Sequence, residues 1–180
     1  MEVLKTWMAD PVHSNVEFVV RHMMISRVRG SFKKFEIAFN GDPENLESGK
    51  ATAKIEVASV FTGDNGRDDD LRSSNFFEIS KYPYITFEST KIEKVSGDQY
   101  KVHGNLTIKN VTKEVIFDGE LGGKLKDPYG NQRFGFSATA SINRREFGLT
   151  WNMVLDNGGV MVGDVVKVEL ALEMVEMKQS

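Results

Sequence analysis

The chain has 180 residues, enough for one domain with a sizeable core and too few to expect two. Its 23 basic and 26 acidic side chains leave a formal charge of -3 with no basic block, which argues against nucleic acid, whose phosphates need clustered Lys and Arg. Cysteine is absent, excluding disulfides and thiolate chemistry, and the three histidines have no paired-ligand spacing, so neither metal nor cofactor is expected.

Residues 1–7 lack the apolar run of a signal peptide, and no later stretch could span a bilayer. The chain therefore reads as cytoplasmic, with no stable membrane insertion. Val12, Val16, Phe18 and Val20 then share one parity, which places them on one face of a strand with His13, Asn15, Glu17 and Arg21 opposite. His22 falls on the apolar side. An inward imidazole needs a partner, so His22 is either a core histidine bonded to backbone or a polar fixture at the mouth of a cavity. Met23, Met24 and Ile25 suit a short irregular corner. Phe32 differs in parity from Phe35, Ile37 and Phe39, and a β-bulge near Lys33-Lys34 would restore the register.

Asp42-Pro43-Glu44-Asn45 reads as a turn, followed by a half-buried strand with Ala53, Ile55, Val57 and Phe61 inward. From Asn65 to Tyr82 the alternation stops. Arg67-Asp68-Asp69-Asp70-Leu71-Arg72 has acids where a first helical turn favours them, and Ser73-Ser74-Asn75 before Phe76-Phe77 reads as a second capped turn. Pro83 closes this excursion. Strands resume with Ile85, Phe87 and Ser89, then Tyr100 to Ile108 after a Ser96-Gly97-Asp98 turn. Asn110-Val111-Thr112 turns into Val115, Phe117, Gly119 and Leu121. Gly122-Gly123 and Asp127-Pro128-Tyr129-Gly130 enclose a connection read as flexible. Phe134 to Ile142 alternate cleanly, and after Asn157-Gly158-Gly159 so do Val166 to Met174.

Roughly eight punctuated strands with one helical excursion predict an all-β fold, and a closed barrel is favoured because it removes edge strands. Ser14, Ala53, Ser59, Ser89, Gly104, Gly119, Ala138 and Ala140 are small residues on the inward faces. They either fit the taper of a packed barrel or leave volume for a ligand. The 12 phenylalanines and 8 methionines favour an apolar cavity.

Three polar groups break the apolar pattern: His22 with Arg21 and Ser26, the 67–72 turn, and Asn143-Arg144-Arg145. Two readings stand side by side. They could hold the polar head of an amphiphile, or Arg72 or Arg144 could pair with Asp68 and pin the excursion to the barrel. Asp68 and His22 could also form a general acid-base pair, if they meet, in an enzyme acting on a lipid-like substrate.

The chain resembles the YceI-like family, the lipocalin-like polyisoprenoid-binding proteins of bacteria. Matching stretches include Trp7 with Asp10, residues 13–26, Thr62-Gly63-Asp64-Asn65, Arg67-Asp68, Leu71-Arg72-Ser73, Phe76-Phe77 and Tyr82-Pro83. They continue with Gly104 to Ile108, Asp127 to Gly130, Ile142-Asn143-Arg144, Phe147-Gly148-Leu149, Trp151 and Val162-Gly163-Asp164. The resemblance implies an extended eight-stranded antiparallel barrel over the whole of 1–180, holding an isoprenoid or other long-chain lipid for storage or transport. It implies no enzymatic activity and a possible homodimer. The tail would be shielded by Phe18, Val20, Phe32, Phe35, Ile55, Phe87, Leu106, Phe136 and Trp151, with Phe76 from the excursion. His22, Asp68, Arg72, Asn143 and Arg144 would stand near the head. Two positions depart from the family: Asp70, usually His, and Asn110, usually Gly. If Asp70 touches the head, its charge should disfavour anionic heads.

Overall fold

The computed structural model describes residues 4–156 and 158–178. Asn157, at the head of one predicted turn, and residues 1–3 of the leader reading lie outside the described residues. The strands are β1 (Thr6–Ala9), β2 (Asn15–His22), β3 (Ser26–Phe32), β4 (Phe35–Asp42), β5 (Asn45–Glu56) and β6 (Val60–Phe61). After helix α1 (Asn65–Arg72) come β7 (Tyr84–Ser96), β8 (Gln99–Ile108), β9 (Val111–Lys126), β10 (Gln132–Asn143) and β11 (Val162–Glu176).

Every pairing is antiparallel, and the order β1-β4-β5-β7-β8-β9-β10-β11 closes on itself where β1 meets β11. The result is an eight-stranded closed barrel. At the other end β2 takes over from β1 along the same edge of β11, with Asn15 opposite Ala171 where Ala9 was opposite Met174. β3 leads directly into β4, and β6 follows β5, so the first three barrel strands are each broken once.

Those breaks are where period-two reasoning fails. At Lys33 and Lys34, where a β-bulge is expected, the strand instead breaks into β3 and β4, and their amides donate to the carbonyl and hydroxyl of Ser59 at 3.2 and 3.0 Å. Val57–Ser59 make a 3₁₀ turn that shifts the parity of the next residues. Val60 therefore faces inward and Phe61, expected inside, is 51% exposed. Val12 is likewise exposed: residues 11–13 form a turn on Asp10, whose Oδ1 accepts the Val12 amide at 2.9 Å, and the strand begins only at Asn15. The connection expected to be flexible at Gly122-Gly123 is strand, because β9 runs to Lys126 through a register shift against Phe134 and Phe136.

The two ends of the barrel differ. At the end of the β4–β5 turn, Trp7, Leu46, Phe39, Phe134 and Met174 are buried together, with Trp7 edge-on to Phe134 at 4.9 Å. Trp7 Nε1 donates to the Gly41 carbonyl at 3.2 Å, which satisfies the indole inside this plug. At the opposite end α1 and the residues after it form a roof. Asp64 caps α1 by accepting the Arg67 amide at 2.9 Å. Phe77 packs on Phe32 at 6.0 Å and Phe76 on Trp151 at 5.5 Å. No described helix is long and apolar enough to cross a membrane.

Candidate functional site

Between plug and roof lies a cavity of about 250 Å³. Its wall comes from alternation: each long strand turns every second side chain inward, and those positions carry Val, Leu, Ile and Phe. Phe18, Val20, Phe32, Ile55, Phe87, Leu106 and Phe136 all line it, as does Phe76 from the roof. The wall also includes residues that parity placed inward but that were not singled out, such as Phe117, Ile142, Val168 and Leu170. Leu71 and Phe77, from a region without alternation, complete the roof.

The inward glycines do not simply leave space. A Cβ on Gly30 would fall 2.2 Å from Cζ of Phe18, one on Gly104 2.3 Å from Cζ of Phe87, and one on Gly119 2.4 Å from Cζ of Phe136. Each ring thus reaches sideways over a glycine of the adjacent strand. Rings stored along the wall do not meet across the axis, and the lumen stays open.

The polar residues gather at the roofed end, but their side chains are largely engaged with the protein itself. Arg144, which lines the cavity, is 3% exposed. Its guanidinium donates to the carbonyls of Gly163 (2.8 Å), Leu149 (2.5 Å) and Val162 (3.3 Å), with Asp164 at 3.8 Å. Burial lowers its pKa, partly offset by Asp164. Asp68 accepts the amide and hydroxyl of Thr62, at 2.9 and 2.5 Å. Arg72 donates to the carbonyls of Ala58 and Val60 and to Asp69, at 3.0, 3.1 and 3.2 Å. The expected Arg72–Asp68 or Arg144–Asp68 pair is therefore replaced by contacts to backbone, Thr62, Asp69 and Asp164. Arg72 still ties the excursion to the barrel, through backbone carbonyls, whereas Arg144 holds the segment from Leu149 to Asp164 instead.

Asn143 is exposed and caps the 3₁₀ turn Arg144–Phe147 by accepting the Arg145 amide. His22 lies one step beyond the cavity at the end of β2, half-buried, and no hydrogen bond joins it to Asp68. Trp151 backs Phe76 from outside the wall, and Phe35 packs half-buried against the core without reaching the lumen.

The comparisons with known proteins bear on this hollow barrel. The YceI-like domain profile matches residues 7–174. The chain belongs to the YceI-like family. A UPF0312 protein of Staphylococcus aureus (strain bovine RF122) is 41% identical over 165 residues, covering 91% of this chain and 94% of that one. Among solved structures, Burkholderia cenocepacia BcnA aligns with a TM-score of 0.81 at 28% identity, over 92% of this chain and 98% of that one. A Campylobacter jejuni YceI protein aligns with a TM-score of 0.75 at 33% identity, over 88% and 90%. A polyisoprenoid-binding domain from Saccharophagus degradans, implicated in plant cell wall breakdown, shares the fold at a TM-score of 0.69 and 15% identity, over 95% and 98%.

Within this YceI-like barrel, Asn110 and Asp70 both have local explanations. Asn110 and its neighbour Lys109 form the β8–β9 turn with φ of 66° and 51°. Glycine adopts that left-handed backbone freely and Asn tolerates it better than most residues. Asp70 accepts the Asn75 side-chain amide at 2.9 Å and lies outside the cavity wall, so its charge does not face the lumen.

At the plugged end of the YceI-like barrel, Asp10, His13 and Glu173 bring their ligand atoms within 4.8 Å of one another. Arg133 is inserted among them, 3.0 Å from Asp10 and 3.7 Å from Glu173, and bonds Asp127 at 2.8 Å. A guanidinium already meets the charge that a cation would.

Proposed function

We propose that the protein binds a polyisoprenoid or similar long-chain amphiphile in its barrel and stores or carries it. The observation that carries this reading is the cavity between Phe134 and Phe76, walled by apolar side chains with Arg144 on it as a buried cation. Each CH₂ removed from water contributes about 0.8 kcal/mol, so a few isoprene units outweigh much of the guest's lost freedom. The polyisoprenoid-binding domain with the same fold supports the choice of guest.

The head belongs at the roofed end. Arg144 lines the cavity there as a buried cation, so its charge would favour an anionic or strongly polar head-group oxygen. Asp70 is turned away from the lumen, so its charge gives no reason to disfavour anionic heads.

An enzyme using Asp68 and His22 finds less support, since the Asp68 carboxylate is occupied by Thr62 and neither group lines the cavity. Solvent extraction of the protein purified from its native host tests both readings. An amphiphile recovered unchanged supports the carrier, whereas turnover that disappears in His22→Ala supports the enzyme.

A further inference from the structure

The outer surface above the cavity carries a feature that lipid storage alone does not require. The β2–β3 hairpin ends in Met23, Met24 and Ile25, which are 36%, 54% and 84% exposed. Met23 and Met24 have φ of 52° and 63°, a backbone that glycine or asparagine adopts with less strain. Large apolar side chains are thus presented to water where a small polar turn would be easier to build.

A second hairpin stands beside the first. The Met23 amide donates to the Met161 carbonyl at 2.6 Å, and the Met161 amide to the Met153 carbonyl at 2.9 Å. Met153 and Val154, on the arm of that hairpin next to Met161, are 52% and 75% exposed, so this arm and the first tip form one apolar knob. Immediately below it, Val20 and Val162 line the cavity.

The flank of the knob supplies the partner's chemistry. Arg21 and Arg27 are paired across β2 and β3, both exposed, and among the described residues neither meets a carboxylate. Like charges directly opposite on a sheet repel, and among the described residues no salt bridge neutralises this pair. By contrast Asp69 is taken up by Arg72 and Asp164 by Arg145.

We infer that this knob is a docking surface for an anionic lipid bilayer, with Met24, Ile25 and Val154 entering the acyl boundary and Arg21 and Arg27 meeting the head groups. Apolar tips flanked by cations match the interface of such a membrane. A second copy of the chain is a poorer match, because self-docking would bring four unpaired arginines together. The knob lies on the outside of the barrel, and its docking does not depend on what fills the lumen.

The chain has no cysteine, so Ile25→Cys provides a single site for an environment-sensitive dye, and Lys94→Cys, exposed near the opposite end, provides the control. With vesicles of phosphatidylcholine containing about 30% phosphatidylglycerol, the dye at position 25 is expected to shift to the blue and the control dye to stay unchanged. Co-sedimentation should weaken with salt and fall about tenfold in Met24→Asp/Ile25→Asp and in Arg21→Gln/Arg27→Gln, with circular dichroism unchanged. Equal shifts at both dyes, or vesicle binding indifferent to these substitutions, would overturn the inference. So would a tip that buries itself only through concentration-dependent dimerisation.

Discussion

The ring of Phe136 occupies the space above Gly119 of the neighbouring strand, so closely that a Cβ there would sit 2.4 Å from its Cζ. The same relation links Phe18 with Gly30 and Phe87 with Gly104. These pairs explain how a barrel rich in phenylalanine remains hollow.

Gly119→Ala should push the Phe136 ring off the wall and into the lumen. Among the nearest atoms only that ring is in the way, so a cost of about 1–3 kcal/mol is expected, with weaker binding of an apolar fluorescent probe. Gly104→Ala should cost more, because the backbone carbonyl of Glu88 would also lie 2.6 Å from the new carbon. Paired urea melts and probe titrations check the order. Equal losses would mean that the Glu88 carbonyl adds nothing, and no loss in either variant would mean that the rings have free room.

Arg144→Ala removes three donors from the carbonyls of Gly163, Leu149 and Val162. Leaving these groups without their partner should cost about 3 kcal/mol. For a chain of this size that is a drop of about 6–12 °C in Tm by calorimetry. Arg144→Lys keeps the charge but not the fork and should recover little. Full recovery by lysine would show that charge alone matters.

Arg72 ties the roof to the barrel through the carbonyls of Ala58 and Val60. If the guest leaves past Phe76 and Phe77, Arg72→Ala should raise the dissociation rate of a bound apolar probe about tenfold with a small change in Tm. Stopped-flow displacement measures this. An unchanged rate would place the exit elsewhere.

The plugged end should titrate. Arg133 and then the Asn131 amide hold the Asp127 carboxyl at about 2, against 3.8 unperturbed. His13 and Arg133 likewise lower Asp10 to about 2. A carboxylate with a lowered folded pKa contributes fully above its unfolded value and loses that contribution as pH falls from about 4 to 2. Asp127→Asn should therefore flatten the acid limb of a stability curve measured by urea melts. An identical limb in the variant would refute the coupling. His13 runs the other way: Asp10 raises its pKa, so its contribution is full below about 6.5 and declines as pH rises through the raised value.

The barrel was legible wherever the pleat is unbroken. Phe134 to Ile142 and Val166 to Met174 alternate without interruption, and the residues of those faces that line the cavity follow the parity read from sequence. Parity misled at Val12 and Phe61, because a turn and a 3₁₀ turn there insert residues that period two does not count. β1 went unseen, since four residues containing Trp7 are too short to show a period. The polar residues were legible as a group at one end but not in their pairings. Asp68 chooses Thr62 over Arg72 through the way α1 folds back on β6, a relation that linear spacing does not contain. The same holds for Asp70, whose partner Asn75 is fixed by the turn after α1.

Native mass spectrometry of the purified protein incubated with a long-chain polyprenol tests the hollow barrel most directly. One amphiphile per chain is predicted, released by organic solvent and weakened in Gly119→Ala. A spectrum holding only the bare chain at every polyprenol concentration would contradict the account.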